Sequence, residues 1–382
     1  MDSTPALFRP ITIGRNVQLL HRVVHAPLTR MRTNKSDYVV LPIVKEYYTQ
    51  RASTPGTLFI TEGSDVHPSQ GGIPHISSFH TEEAFQRWKE IVDSVHAKGS
   101  YIFLQLAGAG RAAMPSFLPV NPSSSNGERY PFIAPSPIPL SDRPPTEPVP
   151  REMTIAEIQE AKRQFAIAAR NAIEICGFDG VEIHGANGYL VDQFIQDMSN
   201  KRTDEYGGSV ENRAKFALEV VEEIAKVIGE DRTAIRISPW NTYQDMGMEN
   251  PEPTFSYLVS QLKLRYPNLA YLHVIEPRIA ADSDASAPDH ASNDFLRKIW
   301  APKVLISAGG YTTQTARDAA EKNEGELIAM GRHFLANPDL PERMRKELAF
   351  NAYDRSTFYI PGDNSGRGYV DYPFAQGTKL PN

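Results

Sequence analysis

The stretch Gly180–Tyr189, GVEIHGANGY, joins a short apolar run to a turn of small and polar residues. It lies between two longer stretches that have the apolar spacing of amphipathic helices, Thr154–Cys176 and Val210–Val227. A short apolar strand between two such helices is typical of parallel sheets, in which helices cover both faces of each strand. We therefore predict a β/α unit at the centre of the chain.

Similar apolar runs recur along the whole sequence. The candidate strands are Val23–Pro27, Thr57–Thr61, Tyr101–Leu106, Gly180–His184, Ala234–Ser238, Tyr271–Ile275, Val304–Ala308 and Leu327–Met330. Further helices are predicted at Thr81–Lys98, Pro253–Leu264 and Thr313–Glu321. Eight such units predict an α/β fold of the closed (β/α)8 TIM barrel type, with residues 1–382 forming a single domain. The alternative, an open doubly wound sheet, predicts a G-x-G-x-x-G turn after the first strand, where this chain has VVHAPLTR instead.

One segment departs from this alternation. Eleven of the thirty prolines lie between Met114 and Pro150, after the third strand, and no helical spacing occurs there. Loops this long in a compact domain usually cover a site or are disordered. We expect a partly ordered cap on the face where barrel sites form, and an aromatic-rich, packed tail from Tyr353 onward.

Composition limits the classes of partner. The net charge is -6 with both signs mixed, and no basic run of the kind that follows a phosphate backbone occurs, so we expect no nucleic-acid partner. No apolar run is long enough for a membrane span, and the start lacks the pattern of a signal peptide. The single cysteine, Cys176, lies in a helical apolar pattern and is predicted to be a buried thiol. We expect a cytoplasmic monomer or homodimer that acts on a small molecule.

The polar residues at the end of the fourth strand are the first candidates for chemistry. His184, Asn187 and Tyr189 lie within six residues of one another. His and Asn can donate hydrogen bonds to a carbonyl oxygen that becomes negative, and a Tyr hydroxyl can act as a general acid. Taken alone, each has a structural explanation, since a strand-end His is more often structural and Asn-Gly is a turn signal. No second ligand follows at metal spacing, so we predict no metal site.

Residues at the other strand ends favour a functional site. The carboxyl ends of parallel barrel strands share one face, so Gln105 and Arg236 are predicted to lie beside each other there. A cation at that position suits a ring that gains negative charge on reduction. The seventh and eighth strands end in pairs of residues suited to an anion: Gly309, Gly310, Gly331 and Arg332. This is where barrels usually bind phosphate.

The run His184–Arg213, HGANGYLVDQFIQDMSNKRTDEYGGSVENR, resembles the most recognisable segment of the Old Yellow Enzyme family. HRVVHAPLTRMR, RASTPGTLFITEG, AIRISP, HVIEPR, NPDLPERM and YDRSTFY also resemble that family, in the family's order. The resemblance implies a barrel that holds FMN non-covalently and reduces activated C=C bonds of unsaturated carbonyl or nitro compounds, with NADPH or NADH as reductant.

The resemblance also implies a role for each matching position. The flavin would be lined by Pro27, Leu28, Thr29 and Gly63 and contacted at its pyrimidine edge by Gln105 and Arg236. Its phosphate would be held by Gly309, Gly310, Gly331 and Arg332. The substrate oxygen would bind His184 and Asn187, Tyr189 would be the proton donor, and the substrate pocket would include Tyr243, Phe295, Phe358 and Tyr359.

Two positions depart from the family pattern. Ala107 stands where many members have Trp, and Ile73 stands where some have a pocket-closing Tyr. Both changes are expected to widen the space over the flavin, so we expect bulkier substrates. Three alternatives stay open from the sequence: a tailoring reductase or isomerase of secondary metabolism acting on a larger enal, a flavin-binding protein without turnover, and a metal-dependent barrel hydrolase.

Overall fold

A ring of eight parallel strands forms the centre of the computed structural model, which describes residues 4–281, 283–285 and 288–376. The strands are β1 (Val23–His25), β2 (Leu58–Asp65), β3 (Tyr101–Ala107), β4 (Gly180–Gly185), β5 (Thr233–Ile237), β6 (Tyr271–Ile275), β7 (Leu305–Ala308) and β8 (Glu326–Met330). β8 pairs with β1, which places Ile328 opposite Val23 and closes the ring. The predicted (β/α)8 barrel is confirmed.

Helices surround the ring and cover the apolar outer faces of the strands. They are α1 (Ile43–Arg51), α2 (Glu82–His96), α3 (Ile155–Glu174), α4 (Leu190–Ile195), α5 (Val210–Ile228), α6 (Glu252–Arg265), α7 (Asp294–Trp300), α8 (Thr313–Lys322), α9 (Arg332–Ala336) and α10 (Leu340–Arg345). The five helices predicted from apolar spacing are present with ends within two residues of those expected. No helix in the described part of the chain is long and apolar enough to cross a membrane.

A hairpin that the sequence did not predict closes the amino-terminal end of the barrel. Ile11–Ile13 pairs in antiparallel fashion with Val17–Leu19. Its buried side chains pack against residues of the barrel interior, among them Phe103 and Tyr271. The two strands are only three residues each, which is too short for an alternating pattern to stand out in the sequence. With this end filled by apolar side chains, the carboxyl end of the barrel is left for a site.

The proline-rich excursion folds back over the carboxyl end of the barrel, as predicted. Ile133–Ala134 pairs with Arg151–Glu152 at its base. The Arg143 guanidinium donates to the carbonyl of Ala112 at 2.8 Å, which ties the excursion to the turn that follows β3. Leu140 and Arg143 line the cavity described below, so the excursion contributes to the wall of the site.

Buried arginines hold the aromatic tail against the barrel. Arg30 donates to the carbonyl of Gly368 at 2.8 Å, and Arg51 donates to that of Tyr369 at 2.9 Å. The Tyr369 ring stacks on Tyr47 with ring centres 4.3 Å apart. The tail is therefore packed in its described part, as expected. Helix α1 was missed from the sequence because its buried face includes the charged Arg51.

Candidate functional site

A cavity of about 940 Å³ opens at the carboxyl ends of the barrel strands. Fifteen of the residues singled out from the sequence line it: Pro27, Leu28, Thr29, Gln105, His184, Asn187, Tyr189, Arg236, Tyr243, Gly309, Gly310, Gly331, Arg332, Phe358 and Tyr359. Ile73, which departs from the family pattern, also contributes to the wall. Residues more than 300 positions apart in the chain thus meet at one end of the barrel, because that end collects the carboxyl termini of all eight strands.

Two of the predicted site residues do not line the cavity. Gly63 lies just behind the lining, since a Cβ atom added there would be 3.3 Å from Oε1 of Gln105 and 3.9 Å from Cδ2 of His184. Phe295 is in the first turn of α7 and packs against the helical shell instead. Its assignment to the substrate pocket is therefore corrected: the direction of a side chain on a short helix depends on how that helix docks, which motif position does not reveal.

His184 is a neutral hydrogen-bonding group. Burial lowers the pKa of His184 to about 3, and the charges of Arg236 and His273 act in the same direction. Its ring lies beside that of Tyr189, with centres 4.8 Å apart. Burial also raises the pKa of Tyr189, so its hydroxyl keeps its proton at neutral pH. A neutral imidazole and a protonated phenol therefore stand side by side, and either can donate a hydrogen bond.

Asn187 is oriented by residues that follow the fifth strand. It adopts the left-handed conformation, with φ of 57°, and its N–H donates to Oγ of Ser238 at 2.8 Å. Its side-chain oxygen accepts a hydrogen bond from the amide of Asn241, which leaves the Asn187 side-chain N–H groups available to donate. Asp192 accepts from the N–H of Gly188 at 2.8 Å and so fixes the turn. Asn187 is therefore held as a donor before any ligand arrives.

A buried polar network lies beneath Gln105 and Arg236. Glu182, which is fully buried, accepts from Nε2 of Gln105 at 2.7 Å and from Nδ1 of His273 at 2.8 Å. Burial by itself raises the pKa of Glu182, but His273, Arg236 and Gln105 together hold that pKa below its usual range. Glu182 is therefore a carboxylate, and it balances the charge of Arg236 within the barrel.

The seventh and eighth strands form the end of the cavity suited to an anion. Gly309 has φ of 144° and Gly310 φ of 61°, and side chains rarely adopt these backbone conformations. A Cβ at Gly309 would lie 2.9 Å from Cβ of Glu276, so a larger residue would push the turn out of place. The Arg332 guanidinium binds the exposed carboxylate of Asp284 at 2.6 Å, which shows that it can accept an anion from this side.

The residues present fit the flavin cofactor that the sequence resemblance implies. Nδ1 of His184 and Nε of Arg236 are buried, belong to residues that line the cavity and have no hydrogen-bond partner within the described chain. Such orphaned groups are costly unless a ligand satisfies them. The cavity volume is also within the range of cofactor sites. Arg236 and Gln105 would lie at the ring, and Gly309, Gly310 and Arg332 would lie at the phosphate.

Sequence reasoning missed the residues that hold these groups in place. Glu182 could have been noticed as a charge inside an otherwise apolar strand, VEIHG. Ser238 and Asn241 carry no comparable signal, since SPWN reads as an ordinary polar loop after β5. Their roles depend on contacts with Asn187, about 50 residues earlier in the chain.

The site therefore has an anion-binding end at β7 and β8 and a hydrogen-bonding end at β4, with Arg236 and Gln105 between them. That separation fits a long phosphate-bearing cofactor lying across the barrel opening, with its reactive ring next to His184 and Tyr189. The fold and the site together define the class of cofactor-dependent (β/α)8-barrel oxidoreductases.

Comparison with known proteins identifies the family. The profile of the NADH:flavin oxidoreductase / NADH oxidase family matches residues 6–351. Chanoclavine-I aldehyde reductase fgaOx3 of Penicillium roqueforti is 44% identical over 97% of this chain and 96% of its own length. A Claviceps purpurea relative named "Probable inactive dehydrogenase easA" is 40% identical over 98% of this chain and 96% of its own length. The Old Yellow Enzyme of Pichia sp. AKU4542 superimposes with a TM-score of 0.87 at 36% identity, covering 99% of this chain and 95% of that one. The chain belongs to the NADH:flavin oxidoreductase family of Old Yellow Enzyme, whose members depend on FMN and NAD(P)H.

Proposed function

We propose that this chain is an FMN-dependent reductase that saturates the C=C bond of an α,β-unsaturated aldehyde in secondary metabolism, with NADPH or NADH as reductant. One observation carries the proposal: neutral His184, Asn187 and protonated Tyr189 share one cavity with Arg236 and Gln105. The similarity to an aldehyde reductase favours a larger enal over a small enone as the natural substrate. Reduction of simple enones and nitroalkenes is the broader form of the same chemistry.

FMN would be held by the residues at the two ends of the cavity. Gly309, Gly310 and Arg332 would bind its phosphate, and Gln105 and Arg236 would contact the pyrimidine edge of its ring. When bound and reduced by NAD(P)H, FMN supplies a hydride to the β-carbon of the substrate. The positive charge of Arg236 would favour the reduced, anionic ring.

His184 and Asn187 would bind the carbonyl oxygen of the substrate. Each donates a hydrogen bond to an oxygen that gains negative charge as the β-carbon is reduced. Donors that are fixed in advance act strongly in a buried site, and one such donor lowers the activation barrier by ~3 kcal/mol. The contact of Asn187 with Asn241 supports this role because it orients the donor beforehand.

Tyr189 would deliver the proton to the α-carbon. Its hydroxyl is protonated at neutral pH because burial raises its pKa, and it lies next to His184. A proton donor at this position favours net reduction over isomerisation, since the reduced intermediate is trapped as the saturated aldehyde. Isomerisation requires that the intermediate return its hydride instead.

The test uses the purified full-length protein. We expect a yellow protein that releases FMN on denaturation and oxidises NADPH when cinnamaldehyde is added under anaerobic conditions. The product is expected to be the saturated aldehyde, identified by mass spectrometry. A colourless protein that does not take up added FMN would contradict the cofactor assignment. A yellow protein that NADPH reduces but that no enal or cyclohexenone reoxidises would instead indicate a flavin-binding protein without turnover.

A further inference from the structure

A buried acid stands on the site side of the barrel and plays no part in the chemistry above. Asp65 is the last residue of β2, in register with Ala107 of β3. Gly63, two residues earlier, faces the site, since a Cβ there would contact Gln105, Ala107 and His184. Alternate residues of a strand point to the same face. Asp65 is therefore on the same face as Gly63, one layer closer to the opening of the barrel.

The surroundings of Asp65 place its charge near the substrate end of the cavity. Its carboxylate reaches the turn after β2, where a Cβ at Gly71 would lie 2.8 Å from Oδ2. Two residues further along, Ile73 lines the cavity. A negative charge on Asp65 would raise the pKa of the Tyr189 hydroxyl, so the two groups lie near each other. Asp65 and the opposing Ala107 are both buried and lie beside the residues that line the cavity, not among them.

No hydrogen bond or ion pair in the described chain satisfies this carboxylate, although Asp65 is only 6% exposed. Two other buried acids differ in this respect. Glu182 accepts hydrogen bonds from Gln105 and His273, and Asp339 pairs with Arg343 at 2.6 Å. Burial raises the pKa of Asp65 well above its usual range. A buried acid that keeps its proton ionises and forms an ion pair only when a cation enters beside it.

We propose that Asp65 recognises a protonated amine on the substrate, so that the natural substrate is an α,β-unsaturated aldehyde that also carries a basic nitrogen. The proposal rests on the proposed function of the same site. The C=C bond of the aldehyde is reduced at one end of the pocket, while the ammonium group of the substrate pairs with Asp65 at the other end.

The test compares two matched aldehydes. 4-(Dimethylaminomethyl)cinnamaldehyde is a cation at neutral pH, and 4-isobutylcinnamaldehyde is its uncharged isostere. We expect the wild-type enzyme to have the lower KM for the amine. In Asp65→Asn the KM for the amine is expected to rise ~30-fold or more, since one partner of a buried charge pair is lost, while that for the isostere changes little.

Glu62→Gln is the matched control. Glu62 is a buried acid on the same strand, three residues earlier, and Arg30 and Arg32 lie near its charge. This variant is expected to keep the wild-type preference for the amine. An equal preference in wild type and Asp65→Asn, with both proteins folded and loaded with FMN, would overturn the proposal.

A binding measurement separates this proposal from the proposed function. 4-(Dimethylaminomethyl)phenol and 4-isobutylphenol are titrated into the oxidised holoenzyme, and the dissociation constants are read from the change in the flavin spectrum. Tighter binding of the amine that is lost in Asp65→Asn supports the role of Asp65 even if neither aldehyde is turned over, in which case only the proposed reductase activity fails. Equal binding of the two phenols to wild type and variant counts against Asp65 regardless of activity.

Discussion

Replacing Glu182 by Gln removes one negative charge from the barrel interior while keeping the size of the side chain. In the wild type this carboxylate accepts hydrogen bonds from Gln105 and His273 and offsets the charge of Arg236. Without it, the positive charge of Arg236 is no longer balanced beneath the flavin site. Reduced flavin, which carries the additional negative charge, is therefore stabilised relative to oxidised flavin.

The size of the effect follows from the position of Glu182 in its strand. Glu182 lies two residues before His184, so its charge is one layer below the site, at ~7 Å. Two unit charges at that separation interact by ~2 kcal/mol at an effective dielectric constant of 20. For a two-electron couple, 30 mV corresponds to 1.4 kcal/mol, so the midpoint potential of bound FMN is expected to rise by ~50 mV.

The midpoint potential is measured by anaerobic reductive titration against an indicator dye, on protein shown by circular dichroism to be folded. Glu326→Gln is the matched control, since it also removes a buried carboxylate from a barrel strand. Glu326 begins β8, at the amino-terminal end of the barrel, and pairs with Arg297 at 2.9 Å. Its replacement is expected to leave the potential unchanged. An unchanged or lower potential in Glu182→Gln would refute the charge-balance argument.

Three further predictions concern the site. Tyr189→Phe is expected to slow reoxidation of the flavin by an enal 10²- to 10⁴-fold, while reduction of the flavin by NADPH stays near normal. Both half-reactions are measured by stopped-flow spectroscopy. Equal losses in the two rates would contradict the proton-donor role. Burial raises the pKa of Asp192 to about 7. The folded protein therefore keeps a proton that the unfolded chain releases from pH ~4 upward. Because the folded state binds more protons, the free energy of unfolding falls between pH ~4 and pH ~7. Asp192→Asn removes that part of the fall, up to ~4 kcal/mol, and urea titrations that show the same pH dependence in both proteins would disprove the assignment. Ala107→Trp is expected to switch the facial selectivity on a prochiral enone by filling the space beside β3; identical product enantiomers and an unchanged substrate size limit would count against the widened pocket.

The barrel and the location of its site were accessible from the sequence because both depend on local patterns. Continuous apolar runs between amphipathic helices indicate parallel strands wherever they occur, and the ends of such strands converge whatever the details of packing. His184, Arg236 and Arg332 could thus be assigned to one face although they are far apart in the chain. The amino-terminal hairpin and α1 were missed, because the first is too short and the second buries Arg51 in its apolar face.

What the amino-acid sequence determined by itself is therefore the order of the strands and helices, the closed barrel and the set of chemical groups at its carboxyl end. The tertiary structure decided the state of those groups: burial makes His184 neutral, Asn241 orients Asn187, Glu182 balances Arg236, and Phe295 turns into the shell. Among the described residues it also left the Asp65 carboxylate without a hydrogen-bond or ion-pair partner. Protonation and hydrogen bonding depend on which distant residues exclude water from a group, and this information is absent from any short stretch of sequence.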